Sequence, residues 1–158
     1  MTNEIETGCC PRFNPEPWDE KEITWQDKLF LKDHVRGFLH IPLNFGKVMT
    51  KNMKRIEESD ALASEPLVLS DDKSLWRTDI YINVSKEVPG AEVGRISGTF
   101  LTKVFEGSYG NMRNWMKEMH SYVKSRGRQI EKMYSFYTTC PRCAKIYGEN
   151  YTVLLAKV

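Results

Sequence analysis

Two stretches of this chain follow the same plan: a strand, a helix rich in methionine, and then two more strands. Three pairs of helix positions have the same separation in sequence, namely Met49 and Met112, Met53 and Met116, and Ile56 and Met119. The strands before the two helices are predicted to begin at Phe38 and Phe100, and their separation differs from that of the helices by a single position. This nearly constant offset favours an internal duplication, although strands and helices also alternate by coincidence in many chains.

The repeated plan predicts an α+β fold with a single domain over residues 21–158. Module one covers about 22–88 and module two about 92–158, with Pro89 and Gly90 at the joint. Paired modules of this kind usually form one sheet, here with the helices on one face, and leave a cleft where the copies meet. Such clefts are favoured places for small-molecule sites, so we expect a ligand cleft along the joint.

Hydrophobic periodicity predicts most of the individual elements. One helix is expected from Phe45 to about Ile56 and a second over 112–123, the second ended by Gly127. Strands are expected over 67–69, 78–84, 93–105, 133–138 and 151–157. One or two further strands are expected over 21–41, with a bend near residues 32–34 and a stop at Pro42. Residues 71–74 are predicted to form a turn.

The composition argues against several functional classes. The 23 basic and 21 acidic residues leave a net charge of +2, which is too small and too evenly spread to indicate nucleic-acid binding. No apolar run reaches the roughly 18–20 residues that span a bilayer. The first seven residues are polar and acidic, unlike a secretion signal. We therefore expect a cytoplasmic monomer without nucleic-acid or membrane partners.

Residues 1–20 are predicted to form an extended N-terminal arm. Pro11, Pro15 and Pro17 stand among charged residues there and disfavour regular secondary structure. Phe13 and Trp18 are the apolar side chains through which such an arm would pack on the domain.

The four cysteines form two clusters, one in the arm and one in a Cys-x-x-Cys segment of the second module. Four thiolates can hold a tetrahedral zinc ion, but adjacent cysteine side chains diverge, and cytosolic cysteines are rarely disulfide-bonded. We expect no cofactor. Zinc bound by Cys9, Cys10, Cys140 and Cys143 is the alternative, and a redox pair is another.

Aromatic and methionine side chains are the remaining candidates for a ligand site. Aromatic faces attract cations, methionine adapts to irregular ligands, and a carboxylate among them would favour a positively charged ligand. The predicted ligand-binding residues are Trp76, Tyr81, Met112, Trp115, Glu118, Tyr134, Phe136 and Tyr137. The alternatives are burial in the core for the apolar residues and plain solvent exposure for Glu118.

No catalytic residue is assigned, because the three histidines form no recognised motif with a Ser or Cys nucleophile, and glycine-rich phosphate loops are absent from the sequence.

Several of these segments resemble the GyrI-like family of effector-binding domains over roughly residues 22–158. The similar segments are the repeat itself, the stretch Phe105–Tyr109, the following helix with Trp115, and the strand that ends at residues 137–141. Together with Cys9–Phe13, the segment 137–145 is similar to a short stand-alone subfamily without a DNA-binding region. The resemblance implies two strand–helix–strand–strand modules in an antiparallel sheet, related by a pseudo-twofold axis, with a hydrophobic cleft at the seam.

The resemblance also implies a function. Members of this family bind bulky, often cationic aromatic compounds in multidrug binding, sequestration or sensing. Some stand-alone members hydrolyse the cyclopropane ring of DNA-alkylating natural products, which makes a hydrolase the alternative. Ser135 stands where the family often has a glutamate, two residues before Tyr137, so the acidic contact is missing there or supplied from elsewhere.

Overall fold

The computed structural model describes residues 13–38, 41–42, 45–63, 67–72, 76–138 and 146–158 of the chain. Within these residues the elements follow one another as β1 (Lys21–Phe38), β2 (Ile41–Pro42), α1 (Phe45–Glu58), β3 (Val68–Asp72), β4 (Arg77–Asn83), β5 (Glu92–Glu106), a 3₁₀ turn (Tyr109–Asn111), α2 (Met112–Ser125), β6 (Lys132–Tyr137) and β7 (Tyr151–Lys157). The architecture is α+β, and the strand pairs described below are antiparallel.

The chain divides into two compact units. The first, here called the central unit, is Thr24–Gly98. The second, here called the terminal unit, combines Met1–Ile23 with Thr99–Val158. Each unit contains one of the two helices.

In the central unit, β4 lies between β1 and β3. Ile80 and Ile82 alternate with Asp79 and Tyr81 along β4, so one face of this strand is apolar. That face packs against α1, where buried residues recur every fourth position. The core cluster consists of Leu31, Val35, Val48, Ile56, Ala61, Ile80, Ile82, Val84 and Val88.

In the terminal unit, β7 lies between β5 and β6. Its residues 152–156 are all buried, so both faces of this strand are covered, because successive side chains point to opposite faces. One face packs against α2, and the core cluster consists of Leu101, Phe105, Trp115, Met119, Tyr122, Val123, Leu154 and Ala156.

The C-terminus of α2 is fixed by a Schellman motif. Gly127 has a φ of 70°, a left-handed conformation that suits glycine. Its N–H donates to the Lys124 carbonyl at 3.0 Å, and the Arg128 N–H donates to the Val123 carbonyl at 3.2 Å. The prediction that Gly127 ends this helix is therefore confirmed, and the motif places Arg126 and Arg128 just beyond the last turn.

Most predicted elements agree with the structure to within a few residues, and two details differ. The sequence predicts one or two strands over 21–41, and the structure has the single long β1 there; Pro42, however, lies within the short β2 instead of stopping the strand. Asp71 and Asp72 belong to β3 rather than to a turn. None of the helices in the described ranges combines the length and the apolar character that a membrane span requires.

Candidate functional site

An open groove of about 510 Å³ lies beside α2 in the terminal unit. Sites for small molecules commonly have volumes of roughly 300–1,000 Å³, so the groove has a suitable size. Glu118, Ser121, Tyr122 and Ser125 line it because positions three and four apart share one face of a helix. The other lining residues are Glu20, Lys103 and Lys117. We call this cavity the α2 groove.

Tyr122 is the aromatic residue of the α2 groove. Its side chain is packed into the core cluster, with 8% of the residue exposed. Lys103 Nζ lies 5.5 Å from the centre of its ring, and the guanidinium carbon of Arg126 lies 5.3 Å away. Both distances fall within the range of cation–π contacts, so this ring already attracts positive charge.

The Tyr122 phenol is neutral at physiological pH. Burial raises its pKa above the ordinary value of 10.0; the Arg126 charge opposes this rise, and the Glu20 carboxylate adds to it. The hydroxyl can therefore donate a hydrogen bond to a ligand in neutral solution.

Glu20 reaches the groove because the end of the arm is fastened to β5. The Thr102 hydroxyl contacts the Trp18 carbonyl at 2.5 Å and the Lys21 carbonyl at 3.3 Å. The Val104 N–H donates to Asp19 Oδ1 at 3.2 Å. Between these contacts, Glu20 has a φ of 51° and its Oε1 lies 3.7 Å from Lys103 Nζ.

A smaller hollow of about 210 Å³ shares Glu20 and Tyr122 with the α2 groove. Its other lining residues are Glu22, Leu101, Arg126 and Arg128. Arg128 Nη1 lies 3.4 Å from Glu22 Oε1. Acidic and basic side chains thus both line the two cavities beside Tyr122, and the walls contain partners for charges of either sign.

Among the predicted ligand residues, Glu118 lies in the groove wall, whereas Trp115 and Met112 pack in the core of the same unit. The Trp115 indole stacks on Phe105 with 5.7 Å between ring centres and an interplanar angle of 23°. Hydrophobic periodicity identifies the buried side of α2 but does not separate core residues from groove residues. The ligand-binding role of Trp115 and Met112 stays a prediction.

The three aromatic residues predicted on β6 lie on two faces of the strand. Tyr134 and Phe136 share one face, and Tyr137 lies on the other, because successive side chains alternate. Tyr134 is 6.2 Å from Phe100 between ring centres. The arm covers Phe136, since Phe13 and Trp18 lie 6.0 Å and 5.7 Å from its ring centre.

Trp76 and Tyr81 belong to the central unit. Trp76 is 54% exposed next to the start of β4, and Tyr81 is half-buried on the face opposite α1. The Tyr81 ring contacts Phe30, with ring centres 6.4 Å apart, and Lys32 Nζ lies 5.8 Å from its centre. This ring also attracts positive charge, although it lines neither the α2 groove nor the smaller hollow.

Two largely buried carboxylates of the central unit are already paired with neighbouring cations. Asp79 Oδ1 accepts a hydrogen bond from Arg77 Nε at 3.0 Å, and Asp33 Oδ2 lies 3.0 Å from Lys51 Nζ. Both carboxylates therefore have basic partners within the protein itself.

Cys9, Cys10, Cys140 and Cys143 lie outside the described residues. Within the described ranges, no three His, Cys, Asp or Glu side chains are arranged to hold a metal ion. Zinc binding by the four cysteines therefore stays a prediction, because all four lie outside the described residues.

Sequence reasoning does not identify Glu20, Lys103 or Tyr122 as groove residues. Helical periodicity marks Tyr122 only as a residue of the buried stripe, and Glu20 and Lys103 lie far apart in the sequence. No local pattern joins residues so distant from each other, and the contact depends on how the arm docks on β5.

The fold is similar to those of two solved structures. An uncharacterized conserved protein from Listeria innocua matches with a TM-score of 0.62 and 14% identity, over 86% of this chain and 90% of that chain. The structure of SAV2435 bound to tetraphenylphosphonium matches with a TM-score of 0.52 and 10% identity, over 87% of this chain and 92% of that chain. At these identities the likeness concerns the fold.

No curated protein matches the sequence. The family model described as bacterial hydrolase matches residues 1–158, so this chain belongs to that family.

Proposed function

We propose that this protein binds bulky hydrophobic, often cationic aromatic small molecules, and that the α2 groove is a binding site for them. The observation that carries the proposal is the Tyr122 ring, which lies within cation–π distance of Lys103 and Arg126 and lines a cavity of about 510 Å³ together with Lys103, Glu20 and Glu118. An aromatic face beside carboxylates is the arrangement that recognises organic cations.

The SAV2435 structure supports this ligand class. It contains tetraphenylphosphonium, a bulky aromatic cation, in a protein of similar fold. That binding belongs to SAV2435, and at 10% identity the residues that perform it do not transfer to this chain.

We further infer that the two units are duplicated modules of the GyrI-like type. The same pairing order supports this: β4 lies between β1 and β3, as β7 lies between β5 and β6. Each of these triplets accompanies a helix of 14 residues.

Titration with tetraphenylphosphonium and with rhodamine 6G tests the binding proposal. We expect saturable binding at micromolar concentrations, weakened about tenfold by Tyr122→Leu and about threefold by Glu118→Gln. Glu131→Gln removes an exposed carboxylate of the same unit outside the groove and should leave the affinity unchanged. Absence of saturable binding to both probes would refute the proposal.

The family description favours a second candidate, a hydrolase acting on strained electrophiles such as cyclopropane-containing natural products. The α2 groove contains a neutral phenol that can donate a proton and carboxylates that can accept one from water. Ring opening by hydrolysis would place the water oxygen on the electrophilic carbon and a proton on the leaving carbon.

Mass spectrometry distinguishes the two functions after incubation with a cyclopropane-containing alkylator. A hydrolase produces many equivalents of the water adduct of the alkylator per protein. A binding protein instead sequesters at most one equivalent of intact alkylator per site. Tyr122→Phe keeps the ring but removes the hydroxyl, so it should retain cation binding and lose turnover. If this variant turns over the alkylator at the parent rate, the phenol is not the proton donor.

A further inference from the structure

The α2 groove already contains a bound cation, which is its own Lys103. The ammonium lies 5.5 Å from the centre of the Tyr122 ring and 3.7 Å from Glu20 Oε1. The Lys103 side chain is 24% exposed, so the contact is only partly open to water. An ammonium between an aromatic face and a carboxylate is the geometry in which proteins hold ligand ammonium groups.

Lys103 reaches this position from the sheet. It faces Leu154 across the β5–β7 pair and lies on the same face of β5 as Leu101 and Phe105, which belong to the core against α2. Its long stem spans from the strand to the groove, and the flexible ammonium can leave the ring without a backbone change.

We propose that Lys103 is an internal competitor that sets the ligand specificity of the α2 groove. It occupies the cation position on Tyr122, and a ligand with an accessible ammonium group binds by taking that position. This inference rests on the proposed binding function and narrows the ligand class to aromatic ammonium compounds, either quaternary ammonium ions or protonated amines.

Displacement is favourable for such ligands because each contact of Lys103 is weak on its own. Its ion pair with Glu20 is partly exposed, and such pairs contribute little to stability. An aromatic ammonium compound restores both contacts and also buries apolar surface. A small inorganic cation buries no such surface, so its binding has no free-energy advantage over the contacts of the lysine that it would displace.

The second cation at the ring, Arg126, does not have this role. It lines the smaller hollow of about 210 Å³ rather than the α2 groove. It also follows the last residue of α2, where its N–H donates to the Val123 carbonyl at 3.1 Å and holds its backbone in place.

Lys117 provides a matched control. It lines the same groove and carries the same charge, but none of the cation–ring contacts within the described ranges involves it. Lys117→Met and Lys103→Met therefore change the net charge equally, and only the second variant removes the lysine ammonium from the Tyr122 ring.

Calorimetric titration with benzyltrimethylammonium tests the proposal on the full chain. We expect Lys103→Met to lower the Kd about fivefold and Lys117→Met to lower it less than about twofold. Adding Tyr122→Leu to Lys103→Met should abolish the gain. Circular dichroism melting of each variant shows whether it is folded at the titration temperature.

Equal effects of the two methionine variants, or weaker binding by Lys103→Met, would overturn the role of Lys103. If the parent binds tetraphenylphosphonium while Lys103→Met gains nothing over Lys117→Met, this inference fails and the binding function stands. If neither the parent nor Lys103→Met binds either cation, both fail.

Discussion

Asp33 and Asn52 form a polar pair between β1 and α1 in the central unit. Asn52 is fully buried, and its Nδ2 donates to Asp33 Oδ2 at 2.8 Å and to the Val48 carbonyl at 2.9 Å. Burial raises the pKa of Asp33, but hydrogen bonds from Asn52, the His34 N–H and Lys51 outweigh it, so the pKa falls below 3.8. The folded protein therefore favours the charged form of Asp33.

The lowered pKa predicts a pH-dependent contribution of Asp33 to stability. The contribution is fully present above the unfolded pKa near 3.8 and is lost as the pH falls through the lower folded pKa. Asp33→Asn should lower the free energy of unfolding by about 1–2 kcal/mol at neutral pH. Urea unfolding of parent and variant between about pH 7 and pH 2 should show the difference shrinking below about pH 4.

Asp60→Asn is the control for this measurement, because Asp60 is exposed at the end of α1. It should leave the pH dependence of the free energy of unfolding unchanged. A stability difference between parent and Asp33→Asn that stays constant down to the lowest pH would contradict the assignment.

Single residues differ in how well the sequence predicts them. Gly127 is predictable, because a glycine after Lys124 and Arg126 is a local signal for the end of a helix. Asn52 is not, because a polar residue in an apolar helical stripe has no place in a periodicity argument. The burial of Asn52 is explained by its hydrogen bond to Asp33, which lies 19 residues earlier in the sequence but next to Asn52 in space.

Among the elements, the two helices are predicted best and the long β1 least well. Both helices repeat buried residues over several turns, which makes their period easy to recognise. β1 includes charged residues at 32–34, which suggest a bend. The structure pairs Lys32, Asp33 and His34 in continuous register with β4, so pairing rather than local preference keeps these residues in the strand.

The docking of the arm on β5 depends on the buried hydroxyl of Thr102. Thr102→Val keeps the shape of the side chain and removes its bonds to the Trp18 and Lys21 carbonyls. We expect a loss of about 1 kcal/mol in the free energy of unfolding. Amide hydrogen exchange over residues 16–21 should become faster, because the arm opens more often.

Thr138→Val is the matched control for the arm. Thr138 Oγ1 donates to the Tyr151 carbonyl at 2.8 Å in the same unit, so this variant loses a comparable bond without touching the arm. Exchange over residues 16–21 should stay at the parent rate. Equal acceleration in both variants would mean that the effect is a general loss of stability.

On the scale of the whole molecule, the helix boundaries allow a second alignment of the two helices. α1 begins at Phe45 and α2 begins at Met112, and both have 14 residues, so the two helices can be aligned by their first residues. The repeat in the sequence instead aligns Met112 with Met49, which lies one helical turn further along α1. A shift of one turn keeps the same face of a helix buried. Helical periodicity therefore indicates two similar helices but does not determine their alignment.

The aligned helix ends match the burial in both units. When the residues are counted from the helix starts, the buried Val48, Asn52 and Ile56 fall at the same positions as the buried Trp115, Met119 and Val123. Asn52 thus stands where the terminal unit has a methionine. The site residues are less predictable than the fold, since the groove combines Glu20, Lys103 and Tyr122 from three separate segments.

The two core clusters share no residue, and this predicts how core substitutions combine. Ile80 and Leu154 are fully buried on the middle strands β4 and β7, each facing the helix of its own unit. Ile80→Ala and Leu154→Ala should each lower the free energy of unfolding by about 2–5 kcal/mol, because each leaves a cavity in a packed core. Ile80→Val removes one methylene group and should cost about 1 kcal/mol.

Since the substituted residues belong to different clusters, the costs in the double variant Ile80→Val with Leu154→Ala should add to within about 0.5 kcal/mol. Urea unfolding of the parent, the single variants and this double variant measures the cost of each substitution and the deviation of the double variant from their sum. A coupling energy well above that limit would show that the two cores act as one.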